Sequence, residues 1–478
     1  MSESVRLARN LRRPTGPALD ASTPSERYSD TRSAAPLGPL WSLLLMMSYA
    51  PSITRSSISR LHLLTSGTLL TSCLIFTSAR AEDDVRQAAT DRVNATVAQV
   101  EAAYLVGPST AAKLGCTIAW QANIAVPTGH GIKYVAARPQ GVLALNTRNE
   151  LTLIRSATGD RAWTVAVAQP VDQVSSVEII HSGTAARHGR VSIVADTGIY
   201  VHDLENGNGL KKAALRHVPS TGPMFDGNMI VYGSRGGYVV WIDGANGFMF
   251  KASAVDSAHL TASSIPTTPV LGEGVIIGAS KTGTVAAFGA GSADSMWRRN
   301  LLGGVVAAPV IKNGIAFVAC EDQYLYAFDL SSGETLWKYF TQSPLTTAPF
   351  VADGLVIQYI PTEGTVAFTQ NPEGQIGGEV RWKKDGIEGS PITVAGLNGR
   401  NVIVYWSAAK RMVTFVDVLR GDIAGTVAMP QVEHLDANVL DEGGFVAWSA
   451  DGRIERLAPI MSAKPAPAPA DSAADTNG

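Results

Sequence analysis

The sequence predicts an all-β fold, an eight-bladed β-propeller of four-stranded antiparallel blades, preceded by a short N-terminal helix. Two periodic marks predict it: a proline followed by an apolar residue, and an Asp-x-x-x-Gly turn. They recur about every 43 residues, which is the length of one four-stranded propeller blade. A unit of this size cannot bury both faces of its sheet alone, so the copies must stack on one another.

The proline mark opens a predicted blade and occurs in five units. Successive copies are 46, 40, 40 and 42 residues apart. A Gly-containing turn follows each copy, and glycine supplies the positive φ that a tight hairpin needs. An alternating apolar strand comes next, as in residues 315–318 (IAFV), so each unit begins with a hairpin. The copies are Pro223, Pro269, Pro309, Pro349 and Pro391.

The second mark joins the third and fourth strands. Its Asp accepts hydrogen bonds from backbone amides two residues on, and its Gly takes the left-handed conformation. A Trp often stands four residues after the Gly. Because the Asp serves the same turn in several blades, we interpret it as structural and not as a ligand. The copies with a Trp are Asp329/Gly333/Trp337, Gly159/Trp163 and Gly378/Trp382, with Trp297 four residues after Ala293.

The last unit lacks its final strand. It begins near Leu435 and stops after Leu457, whereas residues 117–122 (TIAWQA) precede the first blade without a hairpin partner. We therefore predict that this N-terminal strand completes the eighth blade and closes the ring, which removes an exposed edge. The propeller would span residues 116–460. A β-sandwich or a β-solenoid fits less well, since solenoid coils are shorter and sandwiches lack a periodic Trp.

The segment before the propeller is typical of an export signal. Residues 46–81 contain a short basic region, then an apolar stretch, and then a small-x-small ending at Ala79 and Ala81. We therefore predict cleavage after Ala81. A transmembrane anchor is one alternative, although the apolar core is short for it. Acylation of Cys73 is another, because the preceding Leu-Thr-Ser resembles a bacterial lipobox. Residues 1–45 are either a disordered extension or a wrongly assigned start.

Two further segments flank the ring. Residues 82–105 predict a helix, because Val93, Val97 and Val100 share one face and the stretch has no Gly or Pro. We expect this helix to pack on the propeller or act as a spacer, with coiled-coil or partner docking as the alternative. The tail at 461–478 contains a Pro/Ala run and is expected to be extended and disordered.

Charge and cysteine content exclude several classes of function. From Glu82 onward the chain has 30 basic and 37 acidic residues and no basic stripe, so we expect no nucleic-acid partner. Cys116 and Cys320 lie about two hundred residues apart, which makes neither a disulfide framework nor a zinc site. We find no His pair at metal spacing, no phosphate loop and no nucleophile elbow. We therefore expect no catalytic residue, metal or cofactor.

One unit carries a family resemblance. Residues 327–337 (AFDLSSGETLW) closely resemble the AxDxxTGxxxW motif of the quinoprotein (PQQ-like) propellers, with Ser332 in place of Thr. The resemblance covers residues 116–460, although Lys211, Lys251 and Gly425 replace the Trp in other units. In that family the Trp packs between neighbouring blades. The resemblance therefore implies a structural role for the Trp residues of this repeat.

The family has two branches. One contains dehydrogenases that use pyrroloquinoline quinone and calcium, with a disulfide between adjacent cysteines against the quinone. The other contains non-enzymatic scaffolds of the BamB type, which belong to the machinery that assembles outer-membrane β-barrels. The chain is similar to the second branch, since its blades are short, an export signal precedes them and no two cysteines are adjacent.

This resemblance implies an exported, periplasmic scaffold without a cofactor, associated with the outer membrane. Its partners would be envelope proteins that dock on one propeller rim, with the outer-membrane assembly machinery as the candidate. Contact with a membrane would require a partner or an acylated Cys73. The alternatives are a divergent quinone-dependent dehydrogenase and a propeller that binds a small ligand or a carbohydrate.

Overall fold

The protein is described by a computed structural model. The described residues are 70–180, 189–256, 263–372, 374, 376–397, 399–439, 441 and 443–460, with side chains from Arg86 onward. The predicted segment 1–45, the first part of the predicted signal (46–69) and the predicted tail (461–478) lie outside them. The chain divides into two units, residues 1–79 and 80–478, and the second unit holds the propeller.

Among the described residues, two helices precede the blades, α1 (Leu70–Ala103) and α2 (Pro108–Lys113). Helix α1 begins twelve residues before the helix that the sequence predicts and ends two residues earlier. The added part also lacks Gly and Pro and contains Leu, Arg and Ala, which favour a helix. Helix α2 was not predicted; its proline stands in the first turn, where a missing N–H costs nothing. Within the described chain, no helix is long and apolar enough to cross a membrane.

Eight four-stranded antiparallel sheets follow, as predicted. The first four blades each use four consecutive strands. Blade 1 has β2 (Ile132–Arg138), β3 (Gly141–Asn146), β4 (Glu150–Ile154) and β5 (Arg161–Ala166); blade 2 has β6 (Val174–Ile180), β7 (Arg190–Ala195), β8 (Gly198–Asp203) and β9 (Gly209–Ala214). Blade 3 has β10 (Met224–Asp226), β11 (Met229–Gly233), β12 (Tyr238–Asp243) and β13 (Met249–Ala254); blade 4 has β14 (Val270–Gly272), β15 (Val275–Ala279), β16 (Thr284–Gly289) and β17 (Ser295–Asn300).

The next three blades repeat this order, and blade 8 takes one strand from the N-terminal side. Blade 5 has β18 (Val310–Lys312), β19 (Ile315–Ala319), β20 (Tyr324–Asp329) and β21 (Thr335–Phe340); blade 6 has β22 (Phe350–Ala352), β23 (Leu355–Ile360), β24 (Gly364–Thr369) and β25 (Val380–Lys384). Blade 7 has β26 (Ser390–Leu397), β27 (Arg400–Ser407), β28 (Met412–Asp417) and β29 (Ile423–Ala428); blade 8 has β30 (His434–Ala437), β31 (Phe445–Trp448), β32 (Arg453–Pro459) and β1 (Cys116–Asn123).

The N-terminal strand closes the ring, which confirms the predicted closure. Strand β1 pairs antiparallel with β32, so that Cys116 lies opposite Pro459 and Ala122 lies opposite Ile454. In the sheet order β30-β31-β32-β1 it is the fourth and outermost strand. The first strands of neighbouring blades contact each other, for example β14 with β18, and therefore line the centre. Closure removes the open edge that an eighth blade of three strands would have.

The hydrophobic core lies between blades. Each large cluster joins side chains from two neighbouring sheets; Phe317 of blade 5 and Phe368 of blade 6, for example, share the cluster around Trp337. A blade therefore buries its faces only against its neighbours, and this is the physical reason for the repeat.

Because the strands of a blade run alternately up and down, the loops fall on two rims. The connection rim carries the links between blades and the turns between second and third strands. The hairpin rim carries the turns between first and second strands and between third and fourth strands. Any partner that approaches the ring along its axis meets one of these two sets of loops.

Candidate functional site

The Asp of the repeat is engaged in its own turn. Oδ1 of Asp329 accepts hydrogen bonds from the backbone N–H groups of Ser331 (3.1 Å) and Ser332 (2.8 Å) and from both hydroxyls. These bonds, that of the Ser331 hydroxyl foremost, lower the pKa of Asp329. The corresponding Asp203, Asp243 and Asp417 accept the same backbone bonds. In the described part of the chain, His, Cys, Asp and Glu form no group of three that could hold a metal ion.

The Trp residues of the repeat reach from one blade to the next. The indole Nε1 of Trp337 donates to the carbonyl oxygen of Gln370 in blade 6 at 3.0 Å. Three other Trp residues donate to the next blade in the same way at 2.8–2.9 Å. These are Trp163 to Leu204, Trp297 to Leu330 and Trp382 to Val418. Their predicted packing role remains to be tested by substitution.

The Gly of the turn receives the indole of the preceding blade wherever that blade carries the Trp, whereas Gly247 faces Ala213 because Lys211 replaces the Trp in blade 2. A Cβ added to Gly333 would lie 2.5 Å from the Trp297 ring, and φ at this residue is +71°. At Gly333 only glycine allows both the turn and this close approach. A Cβ added to Gly378 would lie 3.1 Å from the Trp337 ring, so Gly and Trp of one repeat serve two different interfaces.

Sequence reasoning missed one member of the Trp set. Trp120 lies on β1 and donates from Nε1 to the carbonyl oxygen of Ser156 in blade 1 at 2.8 Å. A Cβ at Gly159 would lie 2.8 Å from its ring. The sequence could have revealed Trp120, because residues 117–122 were predicted to form the fourth strand of blade 8. In the other blades the Trp of the repeat lies on the fourth strand.

The side chains of the predicted export signal are not among those that the structure describes. The backbone around Cys73, Ala79 and Ala81 belongs to α1, but their side chains lie outside those that the structure describes. Cleavage after Ala81 and acylation of Cys73 therefore stay predictions.

The two cysteines of the propeller are buried free thiols. Burial raises the pKa of Cys116 to about 11 and that of Cys320 to about 12, so both are protonated at neutral pH. A protonated, buried thiol is a poor nucleophile and a poor metal ligand. These side chains therefore give the propeller no thiolate chemistry.

A buried carboxyl group ties the segment after α1 to the closed blade. The N–H of Val106 donates to Oε2 of Glu455 at 3.1 Å, and the N–H of Leu105 donates to Oε1 of Gln121 at 2.6 Å. Gln121 and Glu455 are opposite each other on β1 and β32. Leu105 and Val106 are themselves buried, so this segment is part of the core of blade 8.

Glu455 should make stability fall as pH rises. Its side chain is fully buried, its Oε1 has no partner among the described residues, and burial raises its pKa from 4.5 to about 7. Between pH 4.5 and pH 7 the carboxyl group of Glu455 keeps its proton in the folded protein, whereas the unfolded chain has released it. The free energy of unfolding therefore decreases toward pH 7. The decrease is about 3 kcal/mol at most.

We expect Glu455→Gln to abolish this decrease, leaving the variant as stable as the parent near pH 4.5 and more stable at pH 8. Urea unfolding at several pH values measures both. Glu334→Gln, in an exposed turn, controls for the loss of one charge. A less stable Glu455→Gln at pH 8 would mean that the ionised carboxylate stabilises the fold through Val106.

Both rims expose apolar side chains. On the connection rim they include Leu302, whose side chain is 98% exposed, and on the hairpin rim Ile376, which is 81% exposed. Such residues lie in loops and at strand ends of several blades. Others include Val171, Phe340 and Tyr359 on the connection rim and Phe248, Leu419 and Val439 on the hairpin rim.

The topology and the Trp contacts define the class of protein, an eight-bladed β-propeller of the quinoprotein-like repeat type. The sequence also matches a family model described as outer membrane protein assembly factor BamB, over residues 112–339 and 281–471. The two matches overlap, as a repetitive chain allows, and together they cover about three quarters of the sequence. The chain therefore belongs to this BamB family of PQQ-like propellers.

Solved structures show the same fold. BamB from Moraxella catarrhalis superposes with a TM-score of 0.52 at 15% identity, over 73% of this chain and 98% of that chain. The computationally designed Ika8 protein superposes with a TM-score of 0.52 at 16% identity, over 71% of this chain and 100% of that chain. At these identities the likeness concerns the fold alone. No curated protein sequence matches significantly.

Proposed function

We propose that this protein is a non-enzymatic periplasmic scaffold that docks an envelope protein on one rim of its propeller. The observation that carries the proposal is the family match across residues 112–471, because that family is described as an outer membrane protein assembly factor. The outer-membrane β-barrel assembly machinery is accordingly the proposed partner.

The geometry of the ring supports a scaffold. Hydrogen bonds and apolar contacts join neighbouring blades, while exposed apolar side chains lie at both rims. An exposed apolar group gains free energy when a partner covers it. The conspicuous acids of the repeat are already occupied in their turns, so they support structure and not catalysis.

The location of the protein is part of the proposal. We propose that export removes everything before Glu82 and that the mature chain reaches the outer membrane through its partner. Acylation of Cys73 would instead place the protein on the membrane directly. The mass of the mature N-terminus, measured from envelope fractions, distinguishes a chain that begins at Glu82 from an acylated chain that begins at Cys73.

Site-specific photocrosslinking tests the docking. A photoreactive residue placed at Leu302 or at Ile376 samples one rim each, and Phe250 is the control, since it is half exposed but lies within the outermost strand of blade 3 and not in a rim loop. We expect one rim position to crosslink a subunit of the outer-membrane assembly machinery, with little product from Phe250. Mass spectrometry identifies the product.

Two results would contradict the proposal. One is the absence of an assembly subunit among the products of both rims. The other is alcohol-dependent dye reduction after the purified protein is combined with pyrroloquinoline quinone and calcium, which would favour the dehydrogenase alternative.

A further inference from the structure

The outer wall of the ring has a one-sided charge. It is formed by the fourth strands of the blades, all of which lie within the described chain. Together these strands contain ten Lys or Arg and no Asp or Glu. The third strands, which are their neighbours in each sheet, instead carry six acids and two cations. The excess of cations is therefore a property of the wall and not of the blades as a whole.

Most of these cations are not balanced by a carboxylate. Four of the ten form ion pairs, among them Lys251 with Asp294 at 2.6 Å and Lys384 with Asp422 at 2.8 Å. The other six form no ion pair with a described residue, and they are called the cationic wall below. They are Arg161, Lys211 and Lys212 on blades 1 and 2, and Arg298, Arg299 and Lys338 on blades 4 and 5.

The repeat combines these cations with apolar side chains. In three fourth strands an apolar residue and a cation stand two positions apart and therefore lie on the same side of the strand. Each apolar residue follows the Gly or Ala of its turn by three positions, so the pairs lie at the same height on the wall. No basic stripe is visible along the sequence, because its members are distributed between residues 161 and 338. The pairs are Leu210 and Lys212 of β9, Met296 and Arg298 of β17, and Leu336 and Lys338 of β21.

Blade 3 divides the wall into two parts. It has Ala252 at the position of the cation, and its Lys251 is the one that pairs with Asp294. One part of the wall lies on blades 1 and 2 and the other on blades 4 and 5, so the two parts face different directions around the ring. A flat surface, such as a lipid bilayer, can therefore contact only one part at a time.

The chain itself shows how this wall accepts an extended segment. The N–H of Lys338 donates to the carbonyl oxygen of Ile376 at 3.1 Å, and the N–H of Gly378 donates to the carbonyl oxygen of Lys338 at 3.3 Å. This segment thus runs parallel to β21 along the outer edge of blade 5. Strand β9 has no such neighbour among the described residues, and all of its residues except Ala213 are exposed. An unpaired outer edge of this kind can accept a further strand.

The chemistry of the wall fits an acidic polypeptide segment that also carries apolar residues. Carboxylates would balance the unpaired cations. Leu210 and Met296, which are 52% and 46% exposed, would gain free energy when apolar side chains cover them. A nucleic acid or an anionic glycan offers the charge but no aliphatic side chains to cover them.

We propose that the cationic wall binds an extended polypeptide segment that combines acidic and apolar residues. The segment lies along the outermost strands, with its carboxylates at the cations and its apolar side chains at Leu210 or Met296. The wall is a surface distinct from both rims, so this inference does not depend on the proposed function.

Fluorescence anisotropy with a labelled peptide of repeated Glu-Leu-Ser tests the wall. We expect saturable binding by the full chain, weakened by added salt because exposed charges are screened. The wall variant combines Arg161→Gln, Lys211→Gln, Lys212→Gln and Lys338→Gln, and it should weaken binding at least about tenfold. The two arginines of blade 4 are kept, because they donate to carbonyl oxygens of the neighbouring blades and help to hold the ring.

A control variant removes the same charge from exposed positions outside the wall. It combines Arg92→Gln, Lys113→Gln, Arg235→Gln and Lys281→Gln, and it should bind the peptide with the parent affinity. Both variants should keep the parent melting temperature, because exposed substitutions change stability little. Equal weakening in the two variants would mean that net charge attracts the peptide without a specific surface. That result, or no saturation at millimolar peptide, would overturn the proposal.

Three further probes test the class of partner. A peptide of repeated Glu-Ser-Ser should bind more weakly than the Glu-Leu-Ser peptide, because it leaves Leu210 and Met296 uncovered; equal affinity would contradict the apolar contact. Vesicles of phosphatidylglycerol and a single-stranded DNA oligonucleotide are the competing polyanions. Tighter binding of either one than of the Glu-Leu-Ser peptide, lost in the wall variant, would overturn the polypeptide as the occupant. Rim crosslinking to an assembly subunit by the wall variant would leave the proposed function standing in either case.

Discussion

A chain that lacks every residue up to Asn123 is expected to aggregate, because it has lost the fourth strand of blade 8. The deletion exposes the edge of β32 along its pairing with β1, from Arg453 to Pro459. It also removes Trp120 and Ala122 from the cluster that they share with Ile454. An unpaired strand edge beside uncovered apolar surface promotes self-association. Size-exclusion chromatography should show no monomeric fraction.

A shorter deletion is the matched control. A chain that begins at Tyr104 loses all of α1 but keeps Leu105 and Val106 in the core. On α1 the side chains of Val93 and Val97 are exposed, so their loss should cost little stability. We expect this variant to remain monomeric and folded. A stable monomer without β1 would mean that the ring closes within residues 124–460.

Trp337→Ala is expected to lower the free energy of unfolding by about 3–5 kcal/mol, the usual cost of truncating a buried aromatic side chain. The indole is fully buried, packs between Phe317 and Phe368 at centroid distances of 5.9 Å, and donates to Gln370. Its loss leaves a cavity between blades 5 and 6 and an unpaired carbonyl. Thermal and urea unfolding measure the change.

Phe250→Ala is the control for removal of an aromatic ring. This side chain is half exposed on β13 of blade 3, so its truncation should change stability by less than about 1 kcal/mol. An unchanged melting temperature in Trp337→Ala, together with loss of partner crosslinking, would mean that Trp337 contacts a ligand and does not hold the blades together.

The periodic part of the fold could be predicted because its determinants are local. The turn at Asp329 and Gly333 requires only hydrogen bonds within four residues and one positive φ, so a short motif encodes it. The hairpin after Pro309 is equally local. Eight such units of about 43 residues leave one strand missing, and residues 117–122 alone were free to supply it.

The start of α1 shows where local signals were insufficient. The sequence analysis assigned the apolar stretch before residue 82 to an export signal and began the helix at residue 82. The two segments differ in composition, since the first is apolar and the second is rich in charged residues. The backbone is helical from Leu70, and neither Gly nor Pro interrupts it before Ala103. Cleavage after Ala81 would depend on recognition of the small-x-small ending by a peptidase, which a helical backbone before cleavage does not oppose.

The sequence by itself determined the repeat, the number of blades and the closing strand, since each follows from spacing along the chain. Only the tertiary structure decided which groups meet between distant segments. Val106 and Glu455, which share a hydrogen bond, are 349 residues apart along the chain. The physical reason is that pKa and hydrogen-bond satisfaction depend on burial by neighbouring blades, which no residue's own sequence context specifies.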